Sequence, residues 1–159
     1  MRQAPQPAAL RLQEIVGPKF KIVEFDETTK TASDAAAAIG CHVAQIAKSI
    51  IFRAAETGRA VLAIASGTNR VDEKKLSALV GQKIERADAD FVSEQTGFAI
   101  GGVPPMGHAT PSIVFIDRDL RNYKTLWAAG GTPNAVFEIG FDDLVALSGA
   151  TVADIAKEN

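Results

Sequence analysis

The sequence is poor in the residues from which many catalytic and binding sites are built. Its 159 residues include one cysteine, two histidines, one tryptophan and one tyrosine. The lone Cys41 excludes an intramolecular disulfide and is typical of a reducing compartment. No apolar run approaches the roughly 20 residues that span a bilayer, and the first residues, MRQAPQPAAL, do not resemble a signal peptide. We therefore predict a cytoplasmic protein without a membrane partner.

An excess of positive charge is also missing. The formal net charge is -2, so a surface that grips long nucleic acid through many phosphates is not expected. The single Trp and single Tyr offer little for stacking on bases, and duplex DNA is not an expected partner. Eight cations remain that could form either a local patch or an ordinary solvated surface. They are Arg2, Arg11, Lys19, Lys21, Lys30, Lys48, Arg53 and Arg70.

What is present suffices for one compact domain, because 47% of the residues are apolar. Ile46–Ala54 and Arg59–Gly67 are predicted to form a hairpin through AETG. Further strands are predicted at Phe20–Phe25, Ile84–Arg86, Ser112–Asp117, Thr125–Gly131 and Ala135–Ile139. Helices are predicted at Ala8–Val16, Ser33–Gly40, Asp72–Leu79 and Asp88–Gln95, with helical turns in FDDLVALSG and TVADIAKEN.

The irregular order of these elements does not fit a doubly wound parallel sheet. We predict an α+β fold, with a mixed, curved and partly barrel-like β-sheet surrounded by helices. Residues 1–159 are expected to form a single domain, in which residues 1–7 are a loose tail.

The usual catalytic constellations are mostly absent. Cys41 and His42 are adjacent, so their side chains point apart in regular structure, and a zinc site of three or four ligands is poorly supported. A Ser-His-Asp triad is not excluded by counting, but no G-x-S-x-G motif is present and neither His42 nor His108 has a distinguishing context. GGVPPMG matches neither a dinucleotide fingerprint nor a P-loop. No metal or other cofactor is expected.

The stretch GFAIGGVPPMGHATPSIVF, Gly97–Phe115, holds four glycines and three prolines between two apolar segments. Glycine allows close backbone approach and proline removes a donor, so such a loop can hold neighbouring N–H groups pointing outward. Those amides could bind a carbonyl or an anion. On composition alone, a rigid connection between a helix and a strand explains the loop equally well.

Several segments together resemble a known family. AKSIIFRA, VDEKKLSALVG, RADADFVSEQTGFAIGGVPPMG, TLWAAGG and FEIGFDDL occur in the same order as its motifs, and GGVPP matches its G-x-x-x-P loop. The chain, from about Phe20 to Ile155, resembles the YbaK/ProX family, free-standing relatives of the editing domain inserted in bacterial prolyl-tRNA synthetases. The resemblance implies the YbaK fold and the hydrolysis of mischarged aminoacyl-tRNA, that is, trans-editing by a deacylase.

The resemblance also implies which residues act. The G-x-x-x-P backbone holds the aminoacyl carbonyl through Gly101, Gly102 and Val103, with Pro105 as a loop residue. A hydroxyl of the tRNA ribose helps to activate water, and Lys48 fixes the terminal nucleotide. On its own, Lys48 would be read as a strand-end lysine whose amine reaches water.

Five further positions complete the predicted binding site, together with two that limit the substrate. Ser49 could contact the adenosine or satisfy a backbone group, and Phe25 and Ile46 could line the pocket or be core. Thr132 and Asn134 offer hydrogen-bonding groups after the last Gly-Gly. Relatives that remove cysteine carry serine and aspartate where this chain has Ala129 and Val136.

The resulting prediction is removal of a small noncognate amino acid, such as Ser, Thr, Ala or 2-aminobutyrate, mainly from tRNA-Pro. The expected partner is the tRNA acceptor end, and prolyl-tRNA synthetase or an elongation factor could present it. The alternative is a non-catalytic module that binds an aminoacyl-tRNA end or a small metabolite, because the chain offers no strong acid–base pair.

Overall fold

The computed structural model describes residues 2–4, 6–26 and 31–158, with the backbone alone for Arg2 and Gln3. This part of the chain contains five α-helices and nine β-strands. The helices are α1 Pro7–Val16, α2 Ala32–Ile39, α3 Glu73–Val80, α4 Ala89–Thr96 and α5 Phe141–Ser148. The strands are β1 Arg2–Gln3, β2 Val23–Glu24, β3 Ile46–Ala54, β4 Ala60–Ser66, β5 Ile84–Arg86, β6 Ile113–Asp117, β7 Leu126–Ala129, β8 Ala135–Ile139 and β9 Thr151–Ala153.

The helices end where their capping residues dictate. Asp72 accepts hydrogen bonds from the amides of Lys74 and Lys75 at the start of α3, and Asp88 accepts one from Phe91 in α4. Gly81 and Gly97, both in the left-handed conformation, close these helices, as their positions after Leu79 and Gln95 in the sequence favour. Ser33 was expected to cap helix α2, but the cap is Thr31, which forms a reciprocal capping box with Asp34. Within the described residues, no helix has the length and apolar character needed to cross a membrane.

The nine strands form one mixed sheet, which confirms the α+β prediction. Eight strands follow the order β1-β2-β8-β7-β3-β4-β6-β9, and β5 pairs separately with β3. The predicted β3–β4 hairpin is antiparallel over seven residue pairs, whereas β3–β7, β4–β6 and β6–β9 are parallel. The sheet is open among the described strands, because β1 and β9 at its two ends do not pair with each other.

Three local predictions differ from the structure. Of the expected loose tail, Arg2–Gln3 pairs with β2 and Ala4 is buried, so this segment is held by the sheet. The strand expected at Phe20–Phe25 is reduced to Val23–Glu24, because only these residues pair with β1 and β8. TVADIAKEN was expected to be helical, but its first three residues, Thr151–Ala153, form β9 because they pair in parallel with β6.

The core lies on both faces of the sheet. Every residue of β4 is buried, which explains its nearly continuous apolar run. Leu62 and Ile64 belong to the larger hydrophobic cluster on one face, and Val61 and Ala63 belong to the cluster on the other. A central strand packed on both faces is a rigid support for its neighbour β3.

Candidate active site

The candidate site lies beside a gap in the pairing of β3. One edge of β3 pairs with β4 from Ala47 to Arg53. The other edge pairs with β7 at Ile46–Ala47 and with β5 at Phe52–Ala54. Between these two partners, no described strand pairs with this edge of residues 48–51. The segment that carries Lys48 and Ser49 is thus held firmly on one side and left open on the other.

Two cavities adjoin this gap, and they share four lining residues. The shared residues are Lys48, Ser49, Gly101 and Val103. The structure therefore brings Lys48 and Ser49 of β3 together with residues 97–107, the glycine-proline loop. Residues about 50 positions apart in sequence meet because α3, β5 and α4 fold back across β3.

The smaller cavity has a volume of about 180 Å³ and is lined mainly by small or apolar residues, between which polar atoms are also accessible. The predicted residues Ile46, Ala129 and Thr132 line it. Its polar side chains are those of Thr31, Lys48, Ser49 and Thr132. The remaining walls come largely from small or apolar side chains, which are Ala32, Ala35, Ala47, Trp127, Ala128 and Val136. A lining of mainly small and apolar residues can accept a small aminoacyl side chain.

The larger cavity has a volume of about 550 Å³ and is surrounded by cations. Besides Lys48, its lining includes Arg70, Arg86 and Lys157, with Glu73 as its acidic member. Ile100, which is 60% exposed, stands at its edge. Such a wall fits a phosphate-bearing group better than a neutral one.

Lys48 lines both cavities, and its surroundings lower the pKa of its amine. Burial lowers the pKa of its amine, the neighbouring Arg70 lowers that pKa further, and Asp117 opposes both effects. Asp117 is itself buried and accepts hydrogen bonds from Ser66 N–H at 3.2 Å and Asn69 Nδ2 at 2.8 Å. An anion bound near Lys48 would favour its charged form, because it would replace part of the lost hydration.

Ser49 carries an unsatisfied group in this wall. Its Oγ is buried and has no hydrogen-bond partner among the described residues. Ser49 therefore does not satisfy a backbone group there, which was one of its two predicted roles. A buried hydroxyl without a partner costs free energy, on the order of 1–3 kcal/mol, which a ligand could recover.

The glycine-proline loop is closed at its base by backbone hydrogen bonds. Ala109 N–H donates to Thr96 O at 3.0 Å, and Thr110 N–H donates to Gln95 O at 2.9 Å. Val103 and Met106 are buried in the larger hydrophobic cluster, so the second half of the loop is anchored to the core. Gly101 and Val103 of this loop line both cavities, and Ile100 lines the larger one.

The loop amides are not equivalent. Gly102 N–H donates to Ala99 O at 3.1 Å within the loop. Val103 N–H has no hydrogen-bond partner in the part of the chain that the structure describes. Gly102 lies behind the wall, since a Cβ there would come within 2.7 Å of the Thr132 backbone. Its role in this structure is to let the glycine-proline loop pack closely against the β7–β8 turn.

His108 supports the loop from outside the cavities. Its Nε2 lies 2.7 Å from Pro104 O, and its Nδ1 lies 2.8 Å from Ser112 Oγ. A carbonyl can only accept, so Nε2 carries the proton. Burial lowers the pKa of His108, which favours this neutral form. The predicted Pro105 borders a separate cavity of about 200 Å³ beside His108 and does not line the shared wall.

The predicted residues Phe25 and Asn134 line neither of the two cavities and instead hold one of their walls in place. Asn134 Nδ2 donates to Phe25 O at 2.8 Å, and its Oδ1 accepts from Thr132 Oγ1 at 3.1 Å. Phe25 N–H in turn donates to Asn134 O at 2.9 Å. The polar atoms of Asn134 are thus occupied in positioning Thr132.

Ala129 and Val136 are directly opposite each other on β7 and β8, and both line the smaller cavity. These are the two positions at which cysteine-removing relatives are expected to carry serine and aspartate. Because these two residues are paired across β7 and β8, both differences from those relatives lie on one patch of the smaller cavity's wall. That patch is apolar in this chain, and it offers no group to bind a thiol or a hydroxyl.

The predicted cationic patch is only partly assembled. Among its members, Lys48 and Arg70 line the larger cavity, whereas Arg11 donates to Gly97 O and Lys19 pairs with Asp143. Arg53 pairs with Glu85 at 3.8 Å, and Lys21 lies beside a different groove. Lys30 and the side chain of Arg2 are outside the described residues.

Sequence reasoning missed two cations of the larger cavity, Arg86 and Lys157. Lys157 reaches the site because its N–H donates to Arg70 O at 2.8 Å and because Val71 pairs with Ala156. No local pattern could have predicted this pairing of the C-terminal segment. Within the described residues, no group of three or more His, Cys, Asp or Glu side chains is placed to hold a metal ion.

Comparison with known proteins decides the family. Residues 26–147 match the aminoacyl-tRNA editing domain, which covers most of the chain and all four shared wall residues. The chain belongs to the family of aminoacyl-tRNA editing domains. The predicted YbaK-type identity is thereby confirmed, and the predicted class, an editing domain with deacylase activity, is confirmed at the level of the family.

Two curated relatives are similar to this editing domain along nearly its whole length. It is 34% identical over 138 residues to "Uncharacterized protein YwhH" of Bacillus subtilis (strain 168), covering 86% of this chain and 87% of YwhH. It is 24% identical over 153 residues to "Putative Cys-tRNA(Pro)/Cys-tRNA(Cys) deacylase EbsC" of Enterococcus faecalis (strain ATCC 700802 / V583). That match covers 94% of this chain and 93% of EbsC.

Solved structures agree with the fold of this editing domain. A crystal structure described as "a putative trans-editing enzyme for prolyl tRNA synthetase" has 46% identity and a TM-score of 0.91. The match covers 98% of this chain and 100% of that chain. The "hypothetical protein APE2540" has 28% identity and a TM-score of 0.83, with 94% and 99% of the two chains covered.

Proposed function

We propose that this editing domain hydrolyses tRNA-Pro that carries a small noncognate amino acid, such as Ser, Thr, Ala or 2-aminobutyrate. The observation that carries the proposal is the shared wall between an apolar cavity of about 180 Å³ and a cationic cavity of about 550 Å³. The aminoacyl side chain occupies the smaller cavity, the terminal nucleotide occupies the larger one, and the ester lies between them. The 46% identical neighbour named for prolyl-tRNA synthetase supports tRNA-Pro as the tRNA.

The chemistry requires little from the protein's own side chains. A water oxygen bonds to the carbonyl carbon, and the ester bond to the ribose then breaks, which releases the amino acid. The water proton passes through the neighbouring ribose hydroxyl to the leaving ribose oxygen. Val103 N–H donates to the carbonyl oxygen as negative charge develops there. Gly101 gives the backbone its turn, with φ of 93°, and Gly102 contributes through packing because its own amide is occupied.

Lys48 and Ser49 hold the substrate in this proposal. The Lys48 amine binds a phosphate or a ribose oxygen of the terminal nucleotide, and Ser49 Oγ gains the partner that it lacks. Arg70, Arg86 and Lys157 attract the acceptor end despite the net charge of -2. The reaction takes place in the cytoplasm, where prolyl-tRNA synthetase or an elongation factor can present the charged tRNA.

The smaller cavity supports a small substrate and argues against cysteine. Ala129 and Val136 leave its wall without a hydroxyl or carboxylate at the two positions that distinguish the cysteine-removing relatives. Thr132 remains as a polar group, although its hydroxyl already donates to Asn134. Alanine and 2-aminobutyrate fit this surface without leaving a polar side chain unpaired.

The test is hydrolysis of tRNA-Pro charged with proline, alanine, cysteine, serine, threonine or 2-aminobutyrate, each beside a control without enzyme. We expect turnover of one or two small noncognate species and no turnover of Pro-tRNA-Pro. Lys48→Ala should reduce kcat/KM about 100-fold or more, because it removes the group that positions the nucleotide.

The matched control is Lys124→Ala, since Lys124 is exposed and lines neither cavity. It should hydrolyse the same species as the wild type at the same rate. If every charged tRNA survives a high enzyme concentration, with and without prolyl-tRNA synthetase, the catalytic proposal is wrong and a binding module is the better description.

A further inference from the structure

We propose that helix α1 holds the glycine-proline loop in its working geometry, with Arg11 as the positioning residue. The inference rests on the proposed function for its catalytic consequence. Helix α1 precedes the segment that matches the editing family, residues 26–147. The loop that lines both cavities is thus supported by an element outside the matched segment.

Arg11 contacts the beginning of the loop in two ways. Its Nη2 donates to Gly97 O at 2.6 Å, and its guanidinium lies 4.6 Å from the centre of the Phe98 ring. Gly97 is the left-handed residue that ends α4, and the buried Phe98 is the first residue beyond it. The cation therefore contacts the point at which the chain leaves α4 for Gly101 and Val103.

The end of the loop packs on the same helix. A Cβ at Gly107 would lie 2.8 Å from Ile15 Cδ1 and 3.7 Å from Leu12 Cδ1, so the helix and the loop are in close contact. Leu12 is fully buried in the cluster that also holds Val103 and Met106. Both ends of the loop are thereby fixed to one face of α1.

The opposite wall of the smaller cavity rests on the first turn of α1. A Cβ at Gly131 would lie 3.0 Å from Ala8 O, and Gly131 immediately precedes the lining residue Thr132. The loop and the β7–β8 turn also meet directly, through Gly102 and the Thr132 backbone. One helix therefore sets the spacing of both walls between which the ester is held.

A small displacement of these walls is costly for catalysis. A donor for a developing oxyanion must lie within a few tenths of an ångström of its position, whereas substrate binding through the cationic cavity tolerates more movement. Loss of the Arg11 contacts should therefore lower kcat more than it raises KM. Arg11 is exposed, so its replacement leaves the core of α1 in place.

The experiment compares the wild type with Arg11→Ala, Arg11→Lys and Lys19→Ala. Lys19 is the matched control, because it is an exposed cation of the same region that likewise combines a polar contact with a ring contact. Its amine lies 3.0 Å from Asp143 and 5.3 Å from the centre of the Phe20 ring. The measurements are kcat and KM on the best charged tRNA of the panel, and amide hydrogen exchange at residues 98–107.

We expect Arg11→Ala to lower kcat about fivefold with KM changed less than about twofold, and to speed exchange at residues 98–103. Arg11→Lys should recover part of both effects, since a lysine can donate to Gly97 O but cannot form the planar contact with Phe98. Lys19→Ala should behave as the wild type.

The inference is overturned if Arg11→Ala matches Lys19→Ala in rate and exchange. It is also overturned if the whole loss lies in KM, because Arg11 would then bind the tRNA directly. Should the wild type hydrolyse none of the charged tRNAs, hydrogen exchange alone decides the support role. Faster exchange in the loop of Arg11→Ala sustains that role, and unchanged exchange refutes it.

Discussion

The two cavities on either side of Lys48 and Ser49 differ in almost every respect except their common wall. One has about 180 Å³ and walls of alanine, valine, isoleucine and tryptophan. The other has about 550 Å³ and four cations. A small apolar cavity selects by excluding what is too large, whereas a cationic cavity attracts what is charged. On the proposed function, amino-acid selection and tRNA binding are therefore separated in space.

On the proposed function, the shared wall serves both amino-acid selection and tRNA binding. Lys48 has a pKa lowered by burial and by Arg70, Ser49 has a buried hydroxyl without a partner, and Gly101 and Val103 supply backbone. Each feature costs stability in the free protein and can be compensated by a bound substrate. Mutations in the wall should therefore damage both tasks, and mutations in one cavity should damage one.

The largest effect is expected at Gly102, where the glycine-proline loop touches the β7–β8 turn. Gly102→Ala places a Cβ within 2.7 Å of the Thr132 backbone, so one of the loops must move. We expect about 1–3 kcal/mol of lost stability from overpacking and about a 100-fold fall in kcat. Denaturant unfolding and single-turnover hydrolysis measure the two effects. Gly140→Ala is the control, since its nearest contact, Lys124 O, is at 3.8 Å. Equal behaviour of the two variants would contradict the close approach.

A change confined to the smaller cavity should alter selection alone. Ala129→Val fills part of the 180 Å³, and we expect it to reduce kcat/KM for 2-aminobutyrate about tenfold more than for alanine. The affinity for uncharged tRNA should not change. Ala78→Val, at an exposed position of α3, is the control. A uniform loss with both amino acids would mean that Ala129 does not face the substrate side chain.

A change confined to the larger cavity should alter tRNA binding alone. Arg70→Ala should raise KM about threefold and reduce the salt dependence of binding, with the relative preference among amino acids retained. Measuring KM at several salt concentrations checks this, with Lys124→Ala as the control. If Arg70→Ala changes the preference between alanine and 2-aminobutyrate, the two cavities are not separable.

The smallest effect concerns stability and its pH dependence. The pKa of Lys48 is lowered in the folded state, so the unfolded chain binds its proton more tightly. The resulting destabilisation is fully present below the folded pKa and disappears as pH rises toward the unfolded value of about 10.4. Lys48→Met should therefore raise Tm at pH 7, by on the order of 2 °C because Lys48 is partly exposed. Thermal melts of both proteins between pH 7 and 10 should converge; a constant difference would contradict this cause.

Much of the fold could be predicted from local patterns. The β3–β4 hairpin and helices α3 and α4 carry their own signals in β-branched runs, aspartate caps and closing glycines. Strand β9 could not be predicted in this way, because TVA is a strand only through its pairing with β6. The same long-range geometry fixes the side of β3 on which β5 and β7 leave a gap.

The residues of the candidate site that lie in the family's motifs could be predicted from the sequence, and the others could not. Lys48, Ser49, Gly101 and Val103 meet as the resemblance implies, although their catalytic roles remain predictions. Arg86 and Lys157 were missed because each reaches the larger cavity through tertiary pairing. The hydrogen bonds of Gly102 N–H and of Asn134 also depend on atomic positions, which composition does not encode.

The gap along β3 also matters for how such a site can change over evolutionary time. Lys48 is held by its pairing with Ala65 on β4, whereas the walls of the two cavities belong to separate segments of the chain. Substitutions at Ala129 and Val136 can therefore reshape the smaller cavity without disturbing the strand pairing that positions the lysine. Directed evolution of new substrate preferences would best begin at these two positions, with β3 and β4 left unchanged.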